Sequence, residues 1–225
     1  MINKILKKVV MKKIIVIVLV FVFGGLCFGN SNDSWPILKH YDLEHTSKIR
    51  LPIGGIGTGT VSLTGRGELR DWEIMNQPAK GFVGTPEGNR APFFAIFTKS
   101  GNKITTKGLM GPIEYFEYES MEGRGKNNHG LPRFRECSFD AAYPFGIVNL
   151  SDPNMDIDVR IKGFNPLIPG DEEASGLPVA VLRYEVKNNS DEDMEVSVCG
   201  SMENYIGIDG RKYKRDWKCS VQPAR

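Results

Sequence analysis

Cysteine is scarce in this 225-residue chain, and histidine scarcer still. The four cysteines, Cys27, Cys137, Cys199 and Cys219, make no C-x-x-C pair, and His40, His45 and His129 lie far apart. No set with metal-ligand spacing arises from them, so neither a zinc site nor a disulfide scaffold is read here. At most one disulfide is expected among Cys137, Cys199 and Cys219, with buried free thiols as the default. Excess positive charge is lacking too. The whole chain carries +2, but the first 29 residues hold five lysines and no acid, which leaves −3 on the rest. A nucleic-acid surface is therefore not expected. Arg211, Lys212, Lys214, Arg215 and Lys218 do cluster around Tyr213 and Trp217, yet Asp209 and Asp216 dilute them, as in a solvated turn or docking edge. No long amphipathic helix can be found, and no apolar run reaches the roughly 20 residues that span a bilayer.

What is abundant is glycine in one place. Leu51 to Gly81 packs Gly54, Gly55, Gly57, Gly59, Gly65 and Gly67 among apolar and β-branched residues, then runs into Arg70, Asp71, Trp72 and Glu73. Phosphate binding is the first chemistry such a loop suggests. The spacing refuses it, because Thr60 and Ser62 stand where the dinucleotide fingerprint needs glycine, and no G-x-x-x-x-G-K-[ST] occurs. Tight turns and close backbone contacts are expected instead. A short strand over Val61 to Leu63, a turn at Thr64 to Gly67 and a return strand from Leu69 to Ile74 form the expected hairpin.

At the other end, Lys4, Lys7, Lys8, Lys12 and Lys13 precede an apolar run from Ile14 to Phe23 and then small residues, the order of an export signal. Residues 1–29 are read as that signal, cleaved after Gly29, with translation starting at Met1 or Met11. Acylation of Cys27 and an uncleaved anchor are the alternatives. Cleavage leaves no stable membrane span and places the product outside the cytoplasm, in a periplasmic, extracellular or cell-surface setting.

Residues 30–225 then read as one domain. A polar stub from Asn30 to Ser34 leads into short runs rich in Val, Ile, Phe, Tyr and Thr: residues 91–98, 104–106, 113–118, 146–150, 155–163, 179–187 and 194–200. Met155 to Ile161 alternates apolar and polar residues as a strand with one wet face does. Asn188 to Asp191 is the expected turn toward the alternating Met194, Val196 and Val198, and Ser120 to Pro132 an exposed loop. The roughly 195 residues left after the signal suit a single large β domain. The fold class is all-β, a sandwich of the supersandwich kind, with inward residues of two sheets as its core.

The glycine-rich stretch also resembles a known family. Leu51 to Gly59, Gly65 to Glu73 and Asn76 to Pro78 are similar to segments opening the N-terminal domain of glycoside hydrolase family 116, the β-glucosidases and non-lysosomal (bile acid type) glucosylceramidases. Pro92 to Ile96, Tyr143 to Phe145, Phe164 to Pro169, Leu177 to Val181 and Glu203 to Gly207 follow in the family's order. The resemblance implies retaining hydrolysis of a β-glucoside by two carboxyl groups held roughly 5 Å apart, without a cofactor or metal. It places both carboxyls in a separate C-terminal (α/α)6 barrel, the partner of this domain, which would act on a carbohydrate or glycolipid. The chain stops at Arg225, before such a barrel, so the expectation is a non-catalytic piece that braces an absent catalytic domain, and no catalytic, substrate-binding or metal-binding residue is assigned within it. A free-standing secreted carbohydrate-binding sandwich is the alternative.

Three local candidates are weighed against that. Asp71 and Glu73, with Glu68 near, could share a ligand, but an acid catalyst needs a desolvated cleft, and the polar edge of a hairpin is the simpler reading. Glu203-Asn204-Tyr205 reads as structural on the same ground. Trp72 could stack on a sugar, but its spacing with Ile74 suits a core position; Trp35 and Trp217 are weaker platforms.

Overall fold

The computed structural model describes residues 37–74, 92–113 and 130–202. The residues read as an export signal, the stub, most of the strand expected over residues 113–118, most of the loop from Ser120 to Pro132, Glu203 to Tyr205, the basic cluster, and Cys27, Cys219, Trp35, Trp217 and His129 lie outside those residues.

Eleven strands are described: β1 (Lys39–Tyr41), β2 (Arg50–Ile53), β3 (Thr60–Thr64), β4 (Leu69–Glu73), β5 (Phe93–Ser100), β6 (Lys103–Gly108), β7 (Glu136–Ala142), β8 (Phe145–Ser151), β9 (Ile157–Phe164), β10 (Val181–Asn188) and β11 (Glu195–Ser201). Among the described residues, helix is confined to a 3-10 turn at Leu43–His45 and one short helix, α1 (Glu172–Ser175). The chain is all-β, with a five-stranded sheet in the order β1-β7-β8-β9-β10 and two three-stranded sheets, β2-β3-β4 and β11-β5-β6. Every pairing among the described strands is antiparallel.

Alternation explains the large sheet. On β9, Ile157, Val159 and Ile161 are buried on one face while Asp158 and Arg160 stay partly open on the other. Val148 and Leu150 of β8 and Phe139 of β7 join the same inner face, opposite Leu51, Ile53, Leu63 and Leu69 from β2-β3-β4 and Ile96 from β5. Phe94 of β5 meets Tyr184 of β10 with ring centroids 5.4 Å apart. The expected two-sheet core is thus present with one layer supplied by two smaller sheets. Their junction is closed by the Gly111 N–H donating to the Arg66 carbonyl at 2.8 Å.

Pairing also reveals what the turn after β10 does. The Ser190 N–H donates to the Asn188 side chain at 3.0 Å, forming the expected reversal. The strand that follows, β11, pairs with β5 rather than with β10, so this turn carries the chain from one sheet to another.

Candidate functional site

The glycine-rich loop joins β2 to β3 and works through backbone proximity. Gly59 has φ of +92°, and a Cβ there would sit 2.7 Å from the Glu73 carbonyl oxygen. A Cβ on Gly55 would lie 2.1 Å from the Leu177 carbonyl oxygen, so only a bare backbone can approach the 165–180 connection this closely. The Ile56 N–H donates to the Ser175 carbonyl at 2.8 Å and locks the two segments together.

That connection, between β9 and β10, is itself well fixed. Asp171 caps α1 by accepting from the Ala174 N–H at 2.8 Å. The buried Ser175 hydroxyl accepts from the Ile168 N–H at 2.9 Å and lies 3.1 Å from the Ile168 carbonyl. The β7–β8 turn, with a cis peptide between Tyr143 and Pro144, reaches the same place, since the Asn165 N–H donates to the Pro144 carbonyl at 3.2 Å. Three connections therefore meet at one end of the sandwich.

The weighed acids are already engaged. Thr60 pairs with Glu73 and Ser62 with Arg70, so Asp71 and Trp72 together face Val61 alone, which is a β-bulge. Asp71 takes φ of 52° there and places its carboxylate 3.5 Å from the Arg50 Nε of β2. Its partner thus comes from across the sheet, and the expected hairpin edge proves to be buried at this position. Glu68 pairs instead with Arg133 at 2.9 Å. The bulge also turns Trp72 inward to 6% exposure, where it joins the hydrophobic core. The indole is a core residue, as its spacing suggested.

Other polar clusters escaped the sequence reading. Lys162, 1% exposed on the outer face of β9, sits 2.9 Å from Glu185 of β10, which also holds Arg183 at 3.1 Å. Asp140 receives Asn149 Nδ2 at 2.8 Å and lies 2.6 Å from His40 Nδ1, tying the edge strand β1 to the sheet. Lys107 and Asp152 form a close ion pair joining β6 to the turn after β8. The alternation around Lys162 on β9 was readable, but ionic partners from distant strands are not encoded at any fixed spacing. Among the described residues, no group of three His, Cys, Asp or Glu side chains could hold a metal ion.

The thiols depart from expectation in one case. Cys137 is buried, and burial pushes its thiol up to about 12 although Arg66 pulls the other way. Cys199 is free but exposed, because β11 borders its sheet and carries little covering structure.

Compared with known families, the chain matches the model for "beta-glucosidase 2, glycosyl-hydrolase family 116 N-term" over residues 51–225. That span begins in β2 and takes in the glycine-rich loop, the bulge and the 165–180 connection.

Proposed function

The chain belongs to the N-terminal domain family of glycosyl-hydrolase family 116, and on that premise we propose that it is the non-catalytic domain of an exported retaining β-glucosidase or glucosylceramidase, bracing a helical catalytic domain that supplies the two carboxyls. The observation that carries this reading is the family match across residues 51–225. The state of the local acids supports it. A retaining pair needs one carboxylate free to attack and one carboxylic acid free to protonate the leaving oxygen, about 5 Å apart. Here Asp71 faces Arg50 and Glu68 faces Arg133, so each carboxylate is held by a guanidinium from a different element.

The free-standing carbohydrate binder loses its best platform, since the Trp72 ring is packed in the core. Export is part of the proposal and rests on the lysine-rich start, the apolar run and the small residues that follow.

Two measurements test the reading. The chain alone should leave an aryl β-glucoside intact, while a full-length enzyme carrying it should hydrolyse the same compound with retention. Turnover by the chain alone would overturn the non-catalytic assignment. Expression with its own N-terminus should give a secreted product whose mass starts at Asn30; an unprocessed cytoplasmic product would refute export.

A further inference from the structure

Among the described residues six strands border the three sheets, and five of them carry devices that keep a sheet edge from pairing with another chain. β1 is three residues long and contains Lys39, β2 contains Arg50 and Pro52, and β4 has Arg70 and the bulge at Asp71 and Trp72. β6 contains Lys103 and Lys107, and β10 contains Arg183 and Lys187. β11 has none of these. Its seven residues, Glu195–Ser201, hold a single charge at the first position, and all but Val196 are exposed. Its strand neighbour among the described residues is β5 alone, so its other side presents a row of backbone N–H and C=O groups.

Such a row takes another extended backbone, and a second copy of β11 matches it. Val196, Val198 and Gly200 lie opposite Thr98, Ile96 and Phe94 of β5, on the face that holds the buried Ile96, while Ser197, Cys199 and Ser201 lie on the other. Antiparallel pairing about a two-fold axis preserves both faces only when the axis passes through a residue. With the axis at Val198 all seven residues overlap. Val198 then meets the partner's Val198, Val196 meets the partner's Gly200, and Met194 meets the partner's Met202, so apolar positions oppose apolar ones along the inner face. Val198, 42% exposed, and Met202, 54% exposed, are the side chains this covers. The two Glu195 Cα atoms stand roughly 20 Å apart along the strands, beyond the roughly 8–10 Å over which salt screens charge. Moving the axis to Cys199 would instead set Glu195 against the partner's Glu203, like charges directly opposed.

We propose that β11 is a homodimerisation edge, pairing antiparallel with a second copy of itself about a two-fold axis at Val198 and joining two three-stranded sheets into one. Each copy offers one unprotected edge among its described strands, so the assembly closes at two rather than running on into a fibre.

Sedimentation of the full chain at low salt tests it. The chain should pass from monomer to dimer as its concentration rises. Val198→Lys should raise the dissociation constant about tenfold or more, because it sets two ammonium groups against each other at the axis. Ile104→Lys, at an exposed position of the protected edge β6, and Leu177→Lys, at the end of the sandwich, should leave that constant unchanged. Val198→Cys combined with Cys199→Ser should give a disulfide-linked dimer on mild oxidation, since directly opposed residues bring their Cβ atoms within disulfide reach. Cys199→Ser alone should not. This cysteine pair keeps the proposal testable if Val198→Lys fails to fold. A chain that is monomeric at every concentration, or a dimer that Leu177→Lys dissolves and Val198→Lys does not, would overturn the proposal. Oxidative linkage through the native Cys199 but not through Val198→Cys would overturn the two-fold placed here.

Discussion

Asp71 holds a backbone conformation that side-chain-bearing residues avoid, at a cost of roughly 1 kcal/mol that Asp and Asn tolerate better than most. What offsets the cost is the bulge itself, which lets Trp72 enter the core and sets the carboxylate against Arg50. The two contributions separate by substitution. Asp71→Ala keeps the strain and loses the ion pair, so its urea midpoint should fall by the equivalent of about 1–2 kcal/mol. Asp71→Gly loses the ion pair but relaxes the backbone, and should be the more stable of the two; the reverse order would mean the strain is not real. At Asp152 the issue is protonation. Burial pushes the carboxyl up, but the hydrogen bonds from the Lys107 ammonium and the Asn154 and Arg135 N–H groups outweigh it and hold it below the usual value. The resulting stability is present above the unfolded pKa of about 3.9 and is lost as pH falls through the lower folded value. Asp152→Ala, which takes the carboxylate from Lys107 at 13% exposure and leaves it the Arg133 carbonyl at 3.3 Å, should therefore cost roughly 3 kcal/mol at neutral pH. Its deficit against the native chain should shrink below about pH 4, and a deficit unchanged down to pH 2 would contradict the ionic account.

At the scale of strands, glycine acts as packing space as much as turn material. Gly146 of β8 and Gly163 of β9 lie directly opposite each other on the inner face. A Cβ on Gly146 would sit 2.6 Å from both Leu51 Cδ2 and Phe139 Cζ, and one on Gly163 would sit 2.8 Å from Leu63 Cδ2. The pair thus opens a slot that side chains of β2, β3 and β7 fill. Gly146→Ala should destabilise by about 1–3 kcal/mol through overpacking, and pairing it with Leu51→Val should recover part of the loss. A fully additive double mutant would show that the slot does not couple them. This complementarity was invisible in the sequence, where each glycine looks like an ordinary strand defect. The strands themselves were legible wherever alternation was strong: β9 falls within two residues of its expected bounds and the β3–β4 hairpin within one. Missed were β1, β2 and β7. Lys39–Tyr41 is three residues long, and Arg50–Ile53 contains Pro52, which is tolerated because β2 borders its sheet. Glu136–Ala142 does alternate, but its inward residues include Cys137 and Ala141, which give a weak hydrophobic signal.

For the molecule as a whole, the family and the all-β class were readable because ordered motifs and short alternating runs survive without knowledge of pairing. The exposed end was not, since Ile56, Ile168 and Leu177 read in sequence like any core residue and only the fold turns them outward. The sheets, by contrast, commit to one interior. The core cluster draws on β2, β3, β4, β5, β7, β8 and β9, with Leu182, Tyr184, Val186 and Val196 from β10 and β11 packed against it. No sheet can leave without exposing the inner faces of the others, so the described strands should unfold as one unit. Far-ultraviolet and near-ultraviolet dichroism should therefore trace coincident urea transitions. Long-range pairings such as β11 with β5 and β1 with β7 should hold refolding to milliseconds or slower. Ile56, Ile168, Leu177 and Val179 also leave apolar surface exposed at one end, beside the exposed Asp171, Glu172 and Glu173, whose like charges oppose self-association there only while salt is low. The chain's sedimentation should shift toward larger species as ionic strength rises, and Leu177→Lys should abolish the shift. Sedimentation that stays the same at high salt without that substitution would show that the exposed aliphatics are too dispersed to act as one surface.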